Sequence, residues 1–265
     1  MKFEKVIRAL KYLVFIPRKI SRKPSSPHAS ISDLFPIRND NEWKTFFELL
    51  NIPNLISGET SLDKIGPAKF VFFSKDGDFL GDRNVSYSKF GRKSIAIQDF
   101  LLGKLKEAKT FSVFHDIESI ELDIGTSVLA ERGYCGFAST NSSIRGYVHG
   151  NLDAIAQVGE SLEMLGNKGL LSRVYQIQHP LRGPALYEFF ISNPCKRAVK
   201  IKLEERVGRE WRFRHSIKLN PRGSHIFSIV KTENQESFVR IRSKLYLGRP
   251  VVFRSQGDGI DVFHG

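Results

Sequence analysis

The spacing of apolar positions changes along this chain. Phe3, Val6, Ile7, Leu10, Leu13 and Val14 recur three and four residues apart, which predicts one apolar stripe on a helix that Pro17 ends. Lys2, Lys5, Arg8 and Lys11 fall mostly off that stripe, and Arg18 and Lys19 open a second basic cluster behind it. "KPSSPHASIS" lacks periodicity and reads as linker. In "DNEWKTFFELLNIPNLI", Trp43, Phe46, Phe47 and Leu50 share one helical face, so a short helix is predicted there.

From Lys69 the period becomes two. "FVFFSKDGDFLGDRNVSYS" reads as a strand, a turn and a returning strand, and the stretches up to "TSVLAERGYCGF" continue the alternation. A second block begins at "LYEFFISNPCKRAVKIKLEERVG", continues with "REWRFRHSIKLNPRGSHIFSIV", which reads as a hairpin-like pair around "NPRG", and ends at "ESFVRIRSKLYLGRPVVFRS". "SVLAERGYCGF" and "SKLYLGRPVVF" share Ser, Leu and Phe at matching offsets, and this order suggests an internal repeat. Between the blocks, Ile155, Val158 and Leu162 in "NLDAIAQVGESLEMLG" predict a helix capped by Asn151 or Asp153.

The expected fold class is mainly β: two immunoglobulin-like β-sandwich domains with a short helical linker and an N-terminal amphipathic helix. The expected divisions are a basic helix over 1–23, linker and short helix over 24–66, a first sandwich over 67–138, a loop and helical linker over 139–185, and a second sandwich over 186–265.

Charge sharpens this picture. The chain carries a net +13, but residues 1–23 hold eight basic residues against Glu4, and residues 182–265 hold 17 basic against 8 acidic. The cationic surface therefore belongs to the two ends of the chain. A basic amphipathic helix fits an anionic membrane surface, with lysines and arginines near the headgroups and the apolar stripe among acyl chains. Docking on the protein's own core or on a protein partner is the other reading of that segment. Two cysteines are too few for a disulfide framework, and no signal peptide is evident, so free thiols and a cytoplasmic location at the inner face of the membrane are expected.

The candidate chemistry lies in "RGYCGFASTNSSIRGYVHGNLDA". Tyr134 and Tyr147 offer flat faces to a sugar ring, and Arg132 and Arg145 offer forked donors to a carboxylate or phosphate. Ser143, His149, Asn151 and Asp153 add donors and acceptors. The glycines between them would let backbone N–H groups approach a ligand, and a helix starting near Asn151 would turn its positive end toward an anion. No phosphate-binding loop, G-x-S-x-G elbow or metal-spaced pair occurs, so no cofactor, metal or catalytic residue is assigned. The expected function is non-enzymatic: binding or scaffolding at the membrane, with a glycan or anionic small molecule as ligand, in cell-surface polysaccharide assembly. One alternative is an enzyme acting on a carbohydrate or phosphate ester, with His149 and Asp153 as acid–base groups. Another is a polyanion binder using "REWRFRHSIK", whose alternation predicts Trp211 and Phe213 buried and Arg212 and Arg214 solvated, although no nucleic-acid-binding signature accompanies it.

Overall fold

The computed structural model describes residues 20–40, 43–52, 66–88, 91–116, 129–131, 133–140, 144–150, 153–233, 236–246, 248–257 and 259–265. These are mainly β, in several sheets, with two short 3-10 turns at Ile97–Phe100 and Gly103–Glu107. The predicted N-terminal helix, with Lys2, Phe3, Lys5, Arg8, Lys11, Arg18 and Lys19, lies outside the described residues.

The described residues form five sheets. The first runs β10 (Arg145–His149), β9 (Tyr134–Ser139), β3 (Trp43–Leu50) and β6 (Arg92–Ala96). The second runs β2 (Phe35–Pro36), β7 (Ala108–Phe114), β4 (Ala68–Ser74) and β5 (Phe79–Val85). The third runs β12 (Ser161–Met164), β11 (Ile155–Val158), β1 (Ser30–Ser32) and β8 (Leu129–Glu131). The fourth runs β18 (Ser224–Lys231), β15 (Ala185–Ser192), β20 (Val251–Gln256) and β21 (Gly259–His264). The fifth runs β13 (Lys168–Gln176), β19 (Glu236–Leu245), β16 (Val199–Val207) and β17 (Glu210–Leu219), with β14 (Leu181–Arg182) also on β19.

Two helix expectations are corrected. Residues 43–50 form β3, because Trp43, Thr45, Phe47 and Leu49 alternate into the core and Phe46 and Glu48 face the other way. The adjacent aromatics at 46 and 47 satisfy a helical stripe on paper, yet they serve opposite faces of a sheet. The stretch 155–164 is the hairpin β11–β12, turned at Gly159 with φ +56. Both faces of β11 are covered: Ile155 joins one buried cluster and Ala156 another, so its pattern does not alternate. The helix expected to begin near Asn151 or Asp153 is therefore absent from the described residues 153–164.

The phenylalanines explain how the layers adhere. Phe35, Phe47, Phe70 and Phe111 meet with ring centroids 5.1–5.9 Å apart between the first two sheets. The fourth sheet is buried on both faces, and its sequence shows why. On β15, Tyr187, Phe189 and Ile191 enter one cluster while Phe190 enters the other; on β20, Val252 parts company with Val251 and Phe253 in the same way. The first of these clusters joins the fourth sheet to the fifth, and the second joins it to the first two. Across that second seam Phe253 lies edge-on to Phe137 at 4.8 Å. Arg38, 2% exposed, closes the seam, with Nη1 2.9 Å from Glu188 Oε2 and its guanidinium over Trp43 and Phe253. The expected hairpin around "NPRG" is corrected: that turn carries the chain from β17 in the fifth sheet to β18 in the fourth, and there it meets the "KDGD" turn, where a Cβ at Gly77 would stand 2.0 Å from the carbonyl oxygen of Pro221.

Candidate functional site

The central stretch forms the hairpin β9–β10, at the edge of the first sheet. Cross-strand register places Arg145 opposite Ala138, Tyr147 opposite Gly136 and His149 opposite Tyr134. Opposed residues project to the same side of a sheet, so Tyr134, Arg145, Tyr147 and His149 share one face. Phe46 and Glu48 of β3 and Ser94 of β6 join it through the same ladders. Tyr134 is 53% exposed and Tyr147 42%, so this is an open face.

Glu48, almost buried, organises the face. Its Oε1 accepts a hydrogen bond from Ser94 Oγ at 3.0 Å and one from Tyr147 Oη at 3.3 Å, and Arg145 Nη1 lies 3.5 Å away. Arg92 Nε stands 3.2 Å from the other oxygen. Arg145 Nη1 also donates to Ser94 Oγ at 3.0 Å, and its guanidinium stacks 3.7 Å from the centroid of Phe46. A carboxylate, two guanidinium groups and the Tyr147 ring are thereby linked on one sheet face, with the Tyr134 ring beside them, edge-on to His149. Gly136 makes room for this: a Cβ there would stand 2.7 Å from Tyr147 Cε1. The other glycines of the stretch serve equally close internal approaches, Gly133 to Phe47, Gly146 to Val262 and Gly150 to Asp33, and so belong to packing.

At the far end of β10 the face meets a cleft of about 60 Å³ lined in part by Asp33, Cys135, His149, Ser192, Arg249 and His264. His149 donates from Nδ1 to the Gly150 carbonyl at 2.6 Å, and His264 donates from Nε2 to the His149 carbonyl at 2.6 Å. Burial pushes the His264 pKa down to about 4, against that carbonyl, which favours the charged ring. Asp153 stands half-buried just before β11. Arg132, Ser143 and Asn151 lie outside the described residues. Both cysteines are unpaired and buried, and burial pushes both thiols up, Cys195 to about 11. No group of three or more metal-binding side chains occurs among the described residues. No helix among them is long and apolar enough to cross a membrane.

Two buried networks escape a linear reading. Tyr87 Oη bonds His115 Nδ1, and His115 Nε2 lies 2.7 Å from Glu131 Oε2, with both side chains of that pair fully buried. Burial first, then the charges of Glu131 and Asp116, push the Tyr87 pKa far up, so it stays a neutral phenol. On the inner side of the fifth sheet, buried Glu205 meets Lys231, Ser237 and Arg214. Their partners stand 9 to 32 residues away, and only strand register brings them together.

Comparison with protein-family models, with curated proteins and with solved structures found no match.

Proposed function

We propose that this is a non-enzymatic binding or scaffolding protein at the cytoplasmic face of the membrane, and that the β10-β9-β3-β6 face grips an acidic glycan. The supporting observation is the set of exposed Tyr134 and Tyr147 rings flanked by Arg92 and Arg145. Sugar rings stack on flat aromatic faces, and a guanidinium fork matches a uronate carboxylate in two hydrogen bonds. The Glu48 cluster fixes Arg145 and Tyr147 before any ligand arrives, which lowers the ordering cost of binding. A role in cell-surface polysaccharide assembly fits such a ligand beside a membrane. In this reading residues 1–23 contact the bilayer. The fold belongs to the same proposal: two immunoglobulin-like sandwiches related by a repeat, supported in the second block by the cluster common to the fourth and fifth sheets.

The test is titration calorimetry of the full chain with a galacturonic-acid oligosaccharide and its neutral counterpart. The expected result is binding of the acidic oligosaccharide alone, at least tenfold weaker in Arg145→Ala and Tyr147→Ala. Equal binding by parent and variants, or none by the parent, counts against it. The second reading, an enzyme with His149 and Asp153 as acid–base groups, draws on the cleft that His149 lines. It requires turnover of a glycoside or phosphate ester that His149→Ala abolishes.

A further inference from the structure

The fifth sheet turns one face into the cluster it shares with the fourth, and the other face carries an excess of cations. On β16, Ile201 and Leu203 point inward, so Lys200, Lys202 and Arg206 point outward; on β19, Val239 and Ile241 point inward, so Arg240, Arg242 and Lys244 point outward. Lys218 of β17 lies opposite Lys200 and joins them. Two acids stand among them. Glu204 is held by Arg240 at 2.5 Å and Arg242 at 3.3 Å, and Glu236 is paired with Arg182 at 3.0 Å. Lys200, Lys202, Lys218 and Lys244 make no ion pair among the described residues.

Strand β17 departs from the sequence expectation here. Trp211 lies opposite Arg206 and Phe213 opposite Glu204, so both aromatics sit on the cationic face, and Phe213 is 60% exposed. Arg214 instead turns inward to Glu205, at 2.6 Å. Alternation gave the two sides of the strand correctly but not which side is buried, because β17 is an edge strand. Arg240 lies 4.1 Å over Trp211 and Arg206 lies 4.3 Å over Phe238. At the opposite edge, a register shift between Lys168 and Arg173 throws out Leu170 and Leu171, which are 81% and 70% exposed. The sheet thus presents unpaired lysines between two exposed apolar edges.

We infer that this outer face docks on an anionic lipid bilayer. Lysines pair with acidic headgroups, and leucines and an aromatic ring at the rim enter the interface below them. The exposed aliphatic edge favours lipid over nucleic acid, which would need a row of bare aromatic rings to stack on; here guanidinium groups already cover Trp211 and Phe238, which leaves Phe213 as the exposed ring of β17. Position agrees. Ile20, where the described chain begins, accepts a hydrogen bond from Asn167 N at 3.0 Å, and Arg22 Nε donates to Asn167 Oδ1 at 3.0 Å. The basic cluster that includes Arg22 and Lys23 therefore reaches the same edge of the sheet as Leu170. This inference rests on the membrane location proposed above and adds a second contact to it.

The experiment is sedimentation of the full chain with vesicles of phosphatidylcholine alone or with one-third phosphatidylglycerol. Three forms are compared: parent, Lys202→Glu/Lys244→Glu, and Lys2→Glu/Lys5→Glu/Arg8→Glu. A fourth, Leu170→Ser/Leu171→Ser, tests the apolar edge, and circular dichroism verifies that each is folded. The parent is expected to bind acidic vesicles only, with the lysine variant weakened at least tenfold and the leucine variant several-fold. If only the N-terminal variant loses binding, the face is not a docking surface while the membrane location stands. If the parent ignores both vesicles, both ideas fall. Binding of a single-stranded oligonucleotide that the lysine variant loses, with vesicle binding unchanged, would reassign the face to nucleic acid.

Discussion

Two open sheet faces of this molecule treat charge in opposite ways. On β10-β9-β3-β6, Glu48 collects Arg92, Arg145, Ser94 and Tyr147, so the cations are satisfied and their geometry is fixed. On β13-β19-β16-β17 Lys200, Lys202, Lys218 and Lys244 make no ion pair among the described residues, three of them exposed and Lys202 half-buried, and the acid that anchors the sheet, Glu205, is buried on the other side. A neutralised, ordered face offers shape and directed hydrogen bonds. An unneutralised one offers a field, and a field recognises a charged surface without reading its details. The same residue types thus support a discriminating site in one place and a general adhesive in the other.

The largest effect that separates them is on stability. Glu205→Ala leaves Lys231 buried without its partner and is expected to cost about 3–5 kcal/mol in denaturant unfolding. Glu48→Ala leaves arginines that can turn to water and is expected to cost about 1 kcal/mol. Similar costs for both would erase the distinction between a buried anchor and a surface organiser.

Salt comes next. Added salt shortens the screening length from about 10 Å at 0.1 M to about 3 Å at 1 M. Vesicle binding through the lysine face is expected to collapse over that range, while binding of the acidic oligosaccharide, held by stacking and short bonds, falls only a few-fold. Tyr147→Ala is expected to weaken oligosaccharide binding about tenfold, roughly 1.4 kcal/mol, and to leave vesicle binding unchanged.

The remaining effects are in pH. Burial raises the Glu205 carboxyl, but hydrogen bonds from Lys231, Ser237 and Arg214 outweigh it and hold the pKa below the ordinary 4.5. Its contribution is therefore complete above that value and fades as pH falls below it, so Glu205→Gln and parent converge in strong acid. His264 acts in the same direction, over a higher pH range. Its folded pKa of about 4 lies under the ordinary 6.5, so between those values the unfolded chain binds the extra proton and acid weakens the fold. His264→Gln is expected to flatten the unfolding midpoint over that window. An unchanged slope would place the acid response elsewhere.

The β class was legible because alternation of apolar and polar residues is a direct record of two-sided strands. The strands of the second block and the turns "KDGD" and "NPRG" followed from it. Reading failed where alternation was lost or where both sides of a strand were alike. In β3 the pair Phe46 and Phe47 mimicked a helical stripe, and in β11 both faces were covered. In β17 the pattern was present, but nothing local marked the strand as an edge. Of the site, Tyr134, Arg145, Tyr147 and His149 were visible as one stretch, and strand spacing puts them on one side. Glu48, Arg92 and Ser94 were not, since they arrive from β3 and β6 through long-range pairing that no local pattern records.

The central claim is that the two faces do different work, and hydrogen-exchange mapping of the full chain tests it most directly. Exchange would be followed with the galacturonic-acid oligosaccharide and, separately, with phosphatidylglycerol vesicles. The oligosaccharide should slow exchange in β9, β10 and β6 and leave β13 and β17 untouched, and the vesicles should do the reverse. Protection of the same strands by both probes, or of strands outside both faces, would contradict the division of labour drawn here.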